Sequence, residues 1–295
     1  MLALSRVERI GNMGLFKLSP KVVSMMEEDS LTPESLSLAA NEGTIVPRCG
    51  YDDISGWMDE ARSNMRKWAI DGIRLTTANS PDYPDSLKAI GQAPYFLYSK
   101  GDVSPLSRQN VAIVGTRKPS DEGRRQARSI GSKLAGIGIG VVSGLALGCD
   151  TAGHEGALDG GGYTCAVLAH GLDMVAPASN SDLARRILES GGALVSEHPP
   201  GMKPIGRNFV LRNRIQSGLS THVLVIETTT TGGTMHTARF ASEQGKPIGV
   251  LEFPEGMSES DFALAIEGID TQLGGEKLSS VSQVESFVTA PLEEE

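Results

Sequence analysis

Short apolar segments alternate with helix-forming segments from residue 110 to residue 250. The apolar segments are Val111–Val114, Gly140–Ser143, Tyr163–Leu168, Ala193–Ser196, Thr221–Ile226 and Pro247–Val250. Strands that alternate with helices form parallel sheets, because a parallel connection must be long enough to cross over the sheet. The alternation predicts an α/β, Rossmann-like fold with a mostly parallel sheet and helices on both faces.

The segments after four of these strands are rich in glycine and polar residues. In an open parallel sheet, ligands bind outside the carboxyl ends of the strands. We therefore expect one cleft, formed by residues 115–117, Ser143 with Gly144, residues 171–173 and residues 228–234.

The first of these turns carries positive charge. Gly115 ends the strand, Arg117 and Lys118 follow, and Ser120 and Asp121 are good N-caps for the next helix. A helix N-terminus has free N–H groups and a partial positive charge, so it can bind a phosphate together with these cations. The alternative is that Gly115 only forms the turn and that Arg117 is solvated.

A second basic stretch extends from Lys203 to Arg214 and contains one aromatic residue, Phe209. Cations that follow phosphates and an aromatic ring that stacks on a base are typical of single-stranded DNA binding. We interpret the stretch as irregular. The alternative is a solvated loop whose Phe209 fills the core.

The glycines at 232 and 233, followed by Thr234, leave room for a phosphate or for close packing. No GxGxxG motif follows the first strand, and P-loop and GxSxG motifs are absent. The five histidines lack metal-ligand spacing. We expect no metal, no cofactor and no catalytic residue.

The net charge of −9 argues against an unspecific basic coat that binds nucleic acid, so any nucleic-acid site must be a local patch. Three widely spaced cysteines suggest neither a disulfide framework nor a zinc site. Without a signal peptide or an apolar span, we expect a cytoplasmic protein without membrane contact.

The organisation along the chain predicts four regions. These are a helical N-terminal module at 1–70, a connecting segment at 71–109, the Rossmann-like domain at 110–285 and an acidic tail at 286–295. Residues 10–14 loosely match a helix-hairpin-helix turn, although structural packing is the simpler interpretation.

Ordered motifs from about residue 57 to 285 resemble the DNA-processing protein A family, also called DprA or Smf. They comprise Trp57, the DYP segment at 82–84, the strand and GTR turn at 111–117, the SGLALGCDTAGH block at 143–154, the EHPPG block at 197–201 and the FVLRNRI block at 209–215. The turn reads GTR where the family usually has GSR. The resemblance implies a Rossmann-like protein that binds single-stranded DNA, helps to load a RecA-type recombinase and forms homodimers.

The resemblance carries over to the site as follows. Arg117, Arg207, Phe209 and Arg212 match family positions that hold DNA, whereas Asn213 could equally brace the pocket, as could Arg214. The complete candidate set is Gly115, Thr116, Arg117, Lys118, Ser143, Gly144, Lys203, Arg207, Phe209, Arg212, Asn213, Gly232, Gly233 and Thr234.

Two alternatives belong to the same superfamily. One is a phosphoribohydrolase-like enzyme, but the carboxylate of its GGxGTxxE motif is missing after Gly232 and Gly233, leaving Glu227 and Glu243 as the nearest candidates. The other is a nucleotide-sensing module, which would suit phage defence. We expect no C-terminal winged-helix domain in these 295 residues.

Overall fold

The computed structural model describes Thr32 and residues 51–252 and 260–291. The chain divides into two compact units. Within the described residues, the smaller unit comprises 51–83 and 93–97, and the larger comprises 84–92, 98–252 and 260–291. These divisions differ from the expected boundaries at 70 and 109. The candidate hairpin turn at 10–14 lies outside the described residues.

The smaller unit contains helix α1 (Tyr51–Ile70) and strand β1 (Ile73–Thr77). Its polypeptide is held by hydrogen bonds between distant residues. The hydroxyl of Tyr83 donates to the carbonyl of Pro94 at 2.5 Å, and the amide of Ala78 donates to the carbonyl of Tyr95 at 2.9 Å.

The larger unit begins with the short helix α2 (Asp85–Lys88), and β2 (Phe96–Gly101) enters it from the smaller unit. Strands and helices then alternate: β3 (Asn110–Val114), α3 (Asp121–Gly136), β4 (Gly140–Ser143), α4 (Cys149–Asp159), β5 (Thr164–Leu168), α5 (Ser181–Glu189), β6 (Ala193–Ser196), α6 (Gly206–Gly218), β7 (His222–Val225), α7 (Gly233–Glu243), β8 (Ile248–Leu251), α8 (Ser260–Leu273), β9 (Glu276–Leu278) and α9 (Val281–Thr289).

The strands of the larger unit run in the order β2-β6-β5-β4-β3-β7-β8-β9. All neighbours are parallel except β2 and β6, which are antiparallel. Strand β3 is central, and its Val111 is opposite Val141 of β4 on one side and His222 of β7 on the other. The Rossmann-like, mostly parallel fold predicted from the sequence is confirmed.

Side chains of β3 alternate between two apolar cores. Val111 and Ile113 pack with residues of α3, α4 and α9, whereas Ala112 and Val114 pack with residues of α7 and α8. A strand that is buried on both faces needs apolar residues at consecutive positions, which is why its sequence is a continuous apolar run.

The C-terminal helix α9 belongs to the first of these cores. Val288 is 0% exposed, Lys133 of α3 pairs with Glu285 at 3.1 Å, and the side chain of Gln109 donates to the carbonyl of Val288. The prediction of an acidic tail from residue 286 is therefore wrong for residues 286–289, because these residues belong to the packed helix α9.

The prediction of irregular structure at 203–214 is also wrong over most of that length, because α6 begins at Gly206. Six polar side chains of this helix are buried, so its sequence lacks the alternation of apolar and polar faces that indicates a helix. Within the described ranges, no helix has both the length and the apolar character needed to span a bilayer.

Candidate functional site

A pocket of about 620 Å³ opens at the carboxyl ends of β3 and β7. The chain leaves β3 towards β4 and leaves β7 towards β8, on the opposite side of the sheet, so this is the topological switch point where such folds bind ligands. We call it the switch-point pocket. It is lined by Val114, Gly115, Thr116, Arg117, Lys118, Ala146, Asp150, Gly206, Phe209, Val210, Arg212, Asn213, Gln216, Thr229, Gly232, Gly233, Thr234 and Thr237.

One wall is the β3–α3 loop, residues 115–120, which is held by its neighbours through the backbone. The amide of Thr116 donates to the carbonyl of Glu227 at 2.6 Å, and the carbonyl of Thr116 accepts from the amide of Cys149 at 3.2 Å. Gly148 has a φ of +84°, and a Cβ there would overlap the carbonyl oxygen of Thr116. The close contact between the β3–α3 loop and the loop that precedes α4 therefore requires glycine at position 148.

The N-terminus of α3 does not offer the open anion site expected from the sequence. The hydroxyl of Ser120 accepts from the amide of Gly123 at 3.0 Å, as predicted for an N-cap. The Glu227 carboxylate then accepts from both the amide and the hydroxyl of Ser120, at 3.0 and 3.1 Å. A carboxylate of the protein itself already occupies this helix end.

The opposite wall is one face of α6. Phe209, Asn213 and Gln216 are three or four residues apart, so they project from the same side of the helix. The guanidinium carbon of Arg117 lies 5.6 Å from the centre of the Phe209 ring, within the range of a cation–π contact. The exposed cation and the half-buried ring thus face each other across the pocket.

Two opposite charges lie deep in the pocket. Arg212 is 4% exposed and donates to the carbonyl of Val167, and its Nε has no hydrogen-bond partner among the described residues. Burial lowers the pKa of Arg212 to about 10, although the nearby negative charge of Asp150 acts to raise it. The pKa of Asp150 is raised by burial, and the charge of Arg212 opposes that shift. The carboxylate accepts from the amides of Gly144 and Ala146 at 3.1 and 3.3 Å.

Two residues of the basic stretch are internal braces. Arg214 is 5% exposed and forms a two-pronged ion pair with Glu197, with distances of 2.8 and 2.6 Å. Its Nε donates to the carbonyl of Gln92 at 2.9 Å. Asn213 combines both roles, since it lines the pocket and donates to the carbonyl of Gly233 at 3.2 Å.

The structure brings most of the candidate residues together. Those that line the pocket are Gly115, Thr116, Arg117, Lys118, Phe209, Arg212, Asn213, Gly232, Gly233 and Thr234. Ser143 is buried and donates to the carbonyl of Ile113, and Gly144 instead makes room for the Arg212 guanidinium. Lys203, which precedes α6, and Arg207, in its first turn, are exposed and lie outside the lining.

Sequence reasoning missed several lining residues, among them Asp150, Gln216 and Thr237, whereas Thr229 lies in the predicted 228–234 segment. Gln216 lies seven positions after Phe209, so a helical interpretation of the basic stretch would have placed both on one face. No comparable local pattern indicates Asp150, because only the three-dimensional fold brings this residue to the pocket.

The fold and the pocket together define an α/β protein with a cleft at its switch point, where exposed cations and an aromatic ring meet. The comparison with known families is specific. Residues 74–266 match the family described as DNA recombination-mediator protein A, and the chain belongs to that family.

Individual relatives agree with this assignment. Protein Smf of Escherichia coli is 41% identical over 187 residues, which is 63% of this chain and 50% of that protein. The chain thus spans about half the length of that relative. The crystal structure of DNA processing protein A from Streptococcus pneumoniae superposes with a TM-score of 0.72 at 26% identity, over 94% of this chain and 98% of that one.

A third relative is DNA processing protein A from Helicobacter pylori, a protein with a single-stranded DNA binding mode. Its structure superposes with a TM-score of 0.63 at 28% identity, over 72% of this chain and 94% of that chain.

Proposed function

We propose that this recombination mediator binds single-stranded DNA in the switch-point pocket. The observation that carries the proposal is the pairing of Arg117 with Phe209 at 5.6 Å, which puts a phosphate-binding cation and a base-stacking ring on facing walls. A duplex hides the faces of its bases in the stack, so the ring favours an unpaired strand.

Three further cations extend this surface. Lys118 is exposed in the same loop as Arg117, Lys203 is exposed just before α6, and Arg207 is exposed in its first turn. Because the whole chain has a net charge of −9, this local group supplies the attraction for the DNA backbone. The bound stretch of DNA should therefore be short, and the affinity should fall as the salt concentration rises.

The family and the Helicobacter pylori relative, a protein with a single-stranded DNA binding mode, support this proposal. We further propose that the protein acts in the cytoplasm, protects the bound strand and helps to load a RecA-type recombinase onto it. The loading step is tested by measuring the DNA-dependent ATPase activity of a recombinase. Adding this protein should shorten the lag before the recombinase hydrolyses ATP on single-stranded DNA. An unchanged lag would contradict this step.

We propose that the protein binds DNA without chemical turnover. Glu227 is engaged with Ser120 and does not line the pocket, and Glu243 is exposed at the end of α7. Neither carboxylate lines the pocket, which argues against the phosphoribohydrolase-like alternative. Release of free base from nucleoside monophosphates, lost in Glu227→Gln, would overturn this assignment.

A homodimer built through the Rossmann-like domain completes the proposal. Two linked sites on one strand raise affinity by roughly 10²–10⁴ over a single site, since the second site sees a high local concentration of the same strand. Leu264 of α8 is 59% exposed and could serve an interface, whereas Phe262 and Ile266 are buried in the core. Phe253 lies outside the described residues.

The dimer is tested by light scattering across a concentration series, combined with oligonucleotides of increasing length. We expect a dimer whose affinity rises once an oligonucleotide spans two sites. A monomer with length-independent affinity would refute both the dimer and the avidity argument.

The DNA-binding proposal is tested by titrating the protein with a short oligo-dT and with a duplex of equal length, each over a salt series. We expect tighter binding to the oligo-dT at every salt concentration. Equal affinity for the duplex would mean that the ring does not select unpaired bases, and no binding to either would refute the function.

A further inference from the structure

Glu227 connects the two loops that border the switch-point pocket. Its backbone carbonyl accepts from the amide of Thr116 at 2.6 Å, and its carboxylate accepts from the amide and hydroxyl of Ser120 at 3.0 and 3.1 Å. Arg117 and Lys118 lie between these two anchored residues. We propose that Glu227 is a positioning residue that fixes the β3–α3 loop so that Arg117 can bind a phosphate, an inference that rests on the proposed function.

The surroundings of the carboxylate are built for this contact. Gly123 has no side chain, and a Cβ there would overlap the Glu227 carboxylate, so only glycine leaves room for it. The hydroxyl of Ser120 both donates to Glu227 and accepts from the amide of Gly123 at 3.0 Å. The start of α3 and the end of β7 are thereby tied together at the base of the loop.

Arg117 depends on this anchor because its own side chain is weakly held. Within the described part of the chain it forms no ion pair, and its guanidinium lies over the Phe209 ring. An arginine without an acidic partner keeps its full charge for a ligand, but its position must then come from the backbone that carries it.

The positioning role and the charge of Glu227 predict opposite effects on DNA binding. A negative charge beside a phosphate site repels the ligand, so removal of the carboxylate should strengthen binding if charge alone mattered. If Glu227 positions the loop, its removal should weaken binding. The sign of the change therefore separates the two effects.

The first experiment compares three variants for affinity to a short oligo-dT. Glu227→Ala should bind more weakly, by no more than the roughly fivefold loss that removal of one phosphate contact causes at about 0.1 M salt. Glu227→Gln keeps an oxygen that can accept from Ser120, so it should bind at least as tightly as the wild type. Asp121→Ala is the matched control, because it removes a carboxylate one residue beyond Ser120 without removing the anchor, and it should not weaken binding.

A double-mutant comparison shows whether Glu227 acts through Arg117. In the Arg117→Ala background, Glu227→Ala should cause no further loss, because the residue that it positions is gone. A loss of the same size in both backgrounds would overturn the proposal, as would Glu227→Ala binding as tightly as the wild type.

Urea unfolding shows whether each variant is folded. If Glu227→Ala does not fold, Glu227→Asp replaces it, since aspartate keeps the charge but is one methylene too short to reach Ser120. Weaker binding by Glu227→Asp would support the proposal, and wild-type affinity would overturn it. Absence of oligo-dT binding by the wild type would instead refute the proposed function itself.

Discussion

The replacement of Arg117 by alanine gives the most direct measure of how the pocket binds DNA. The proposed DNA-binding surface has four exposed cations: Arg117 and Lys118 line the pocket, and Lys203 and Arg207 lie near the start of α6, outside the lining. If each neutralises one phosphate, the slope of log K against log salt is about −2.8 for a single strand, at roughly −0.7 per contact. Arg117→Ala should reduce the slope to about −2.1, and at about 0.1 M salt the lost contact corresponds to roughly fivefold weaker binding.

Fluorescence anisotropy with a labelled oligo-dT over a salt series measures both quantities. The matched control is Arg108→Ala, because Arg108 is also an exposed arginine but lies just before β3, at the opposite end of the strand from the pocket. We expect Arg108→Ala to leave affinity and slope unchanged. If Arg117→Ala keeps the wild-type slope while remaining folded, Arg117 does not neutralise a phosphate and the assignment of the pocket fails.

Three further predictions concern other parts of the larger unit. Phe209→Ala should lose affinity by an amount equivalent to about 1–3 kcal/mol with no change in salt slope, since stacking releases no counterions; the same anisotropy series checks this. Arg214→Ala should destabilise the protein by about 3–5 kcal/mol in urea unfolding, because Glu197 would be left without its partner, and a smaller loss would mean that water compensates the carboxylate. Burial lowers the pKa of His154 from 6.5 to about 3. Between pH 6.5 and pH 3, the imidazole is therefore protonated in the unfolded chain but not in the folded protein. The free energy of unfolding should fall as the pH drops through this range. Urea midpoints measured over that range should depend less on pH in His154→Gln.

The sheet could be predicted closely from the sequence because its central strands are buried on both faces. Such strands need continuous apolar residues, and β4 and β6 lie at the predicted positions, Gly140–Ser143 and Ala193–Ser196. Helix α6 could not be predicted in this way. Its inward side includes Arg212, Arg214 and other polar groups, whose partners come from distant parts of the chain, so no apolar stripe marks the helix.

The candidate site shows the same division between local and distant information. Arg117 and Phe209 were found because a cation at a strand end and an aromatic residue among cations are local patterns. The role of Glu227 was not, since its carboxylate meets Ser120 across 107 positions of sequence. The sequence offered Glu227 as a candidate for catalysis, and only the pairing of β3 with β7 shows that it anchors a helix.

The place of α9 in the same apolar core as β3 has a consequence for how the chain folds during synthesis. Val284 and Val288 belong to the same core as Val111 and Ile113, although about 170 residues of sequence separate the two pairs. A nascent chain that emerges from its N-terminus must keep that apolar surface exposed until α9 is made, a period in which association with other chains competes with folding. A chain cut before Ser280 should for the same reason accumulate in aggregates.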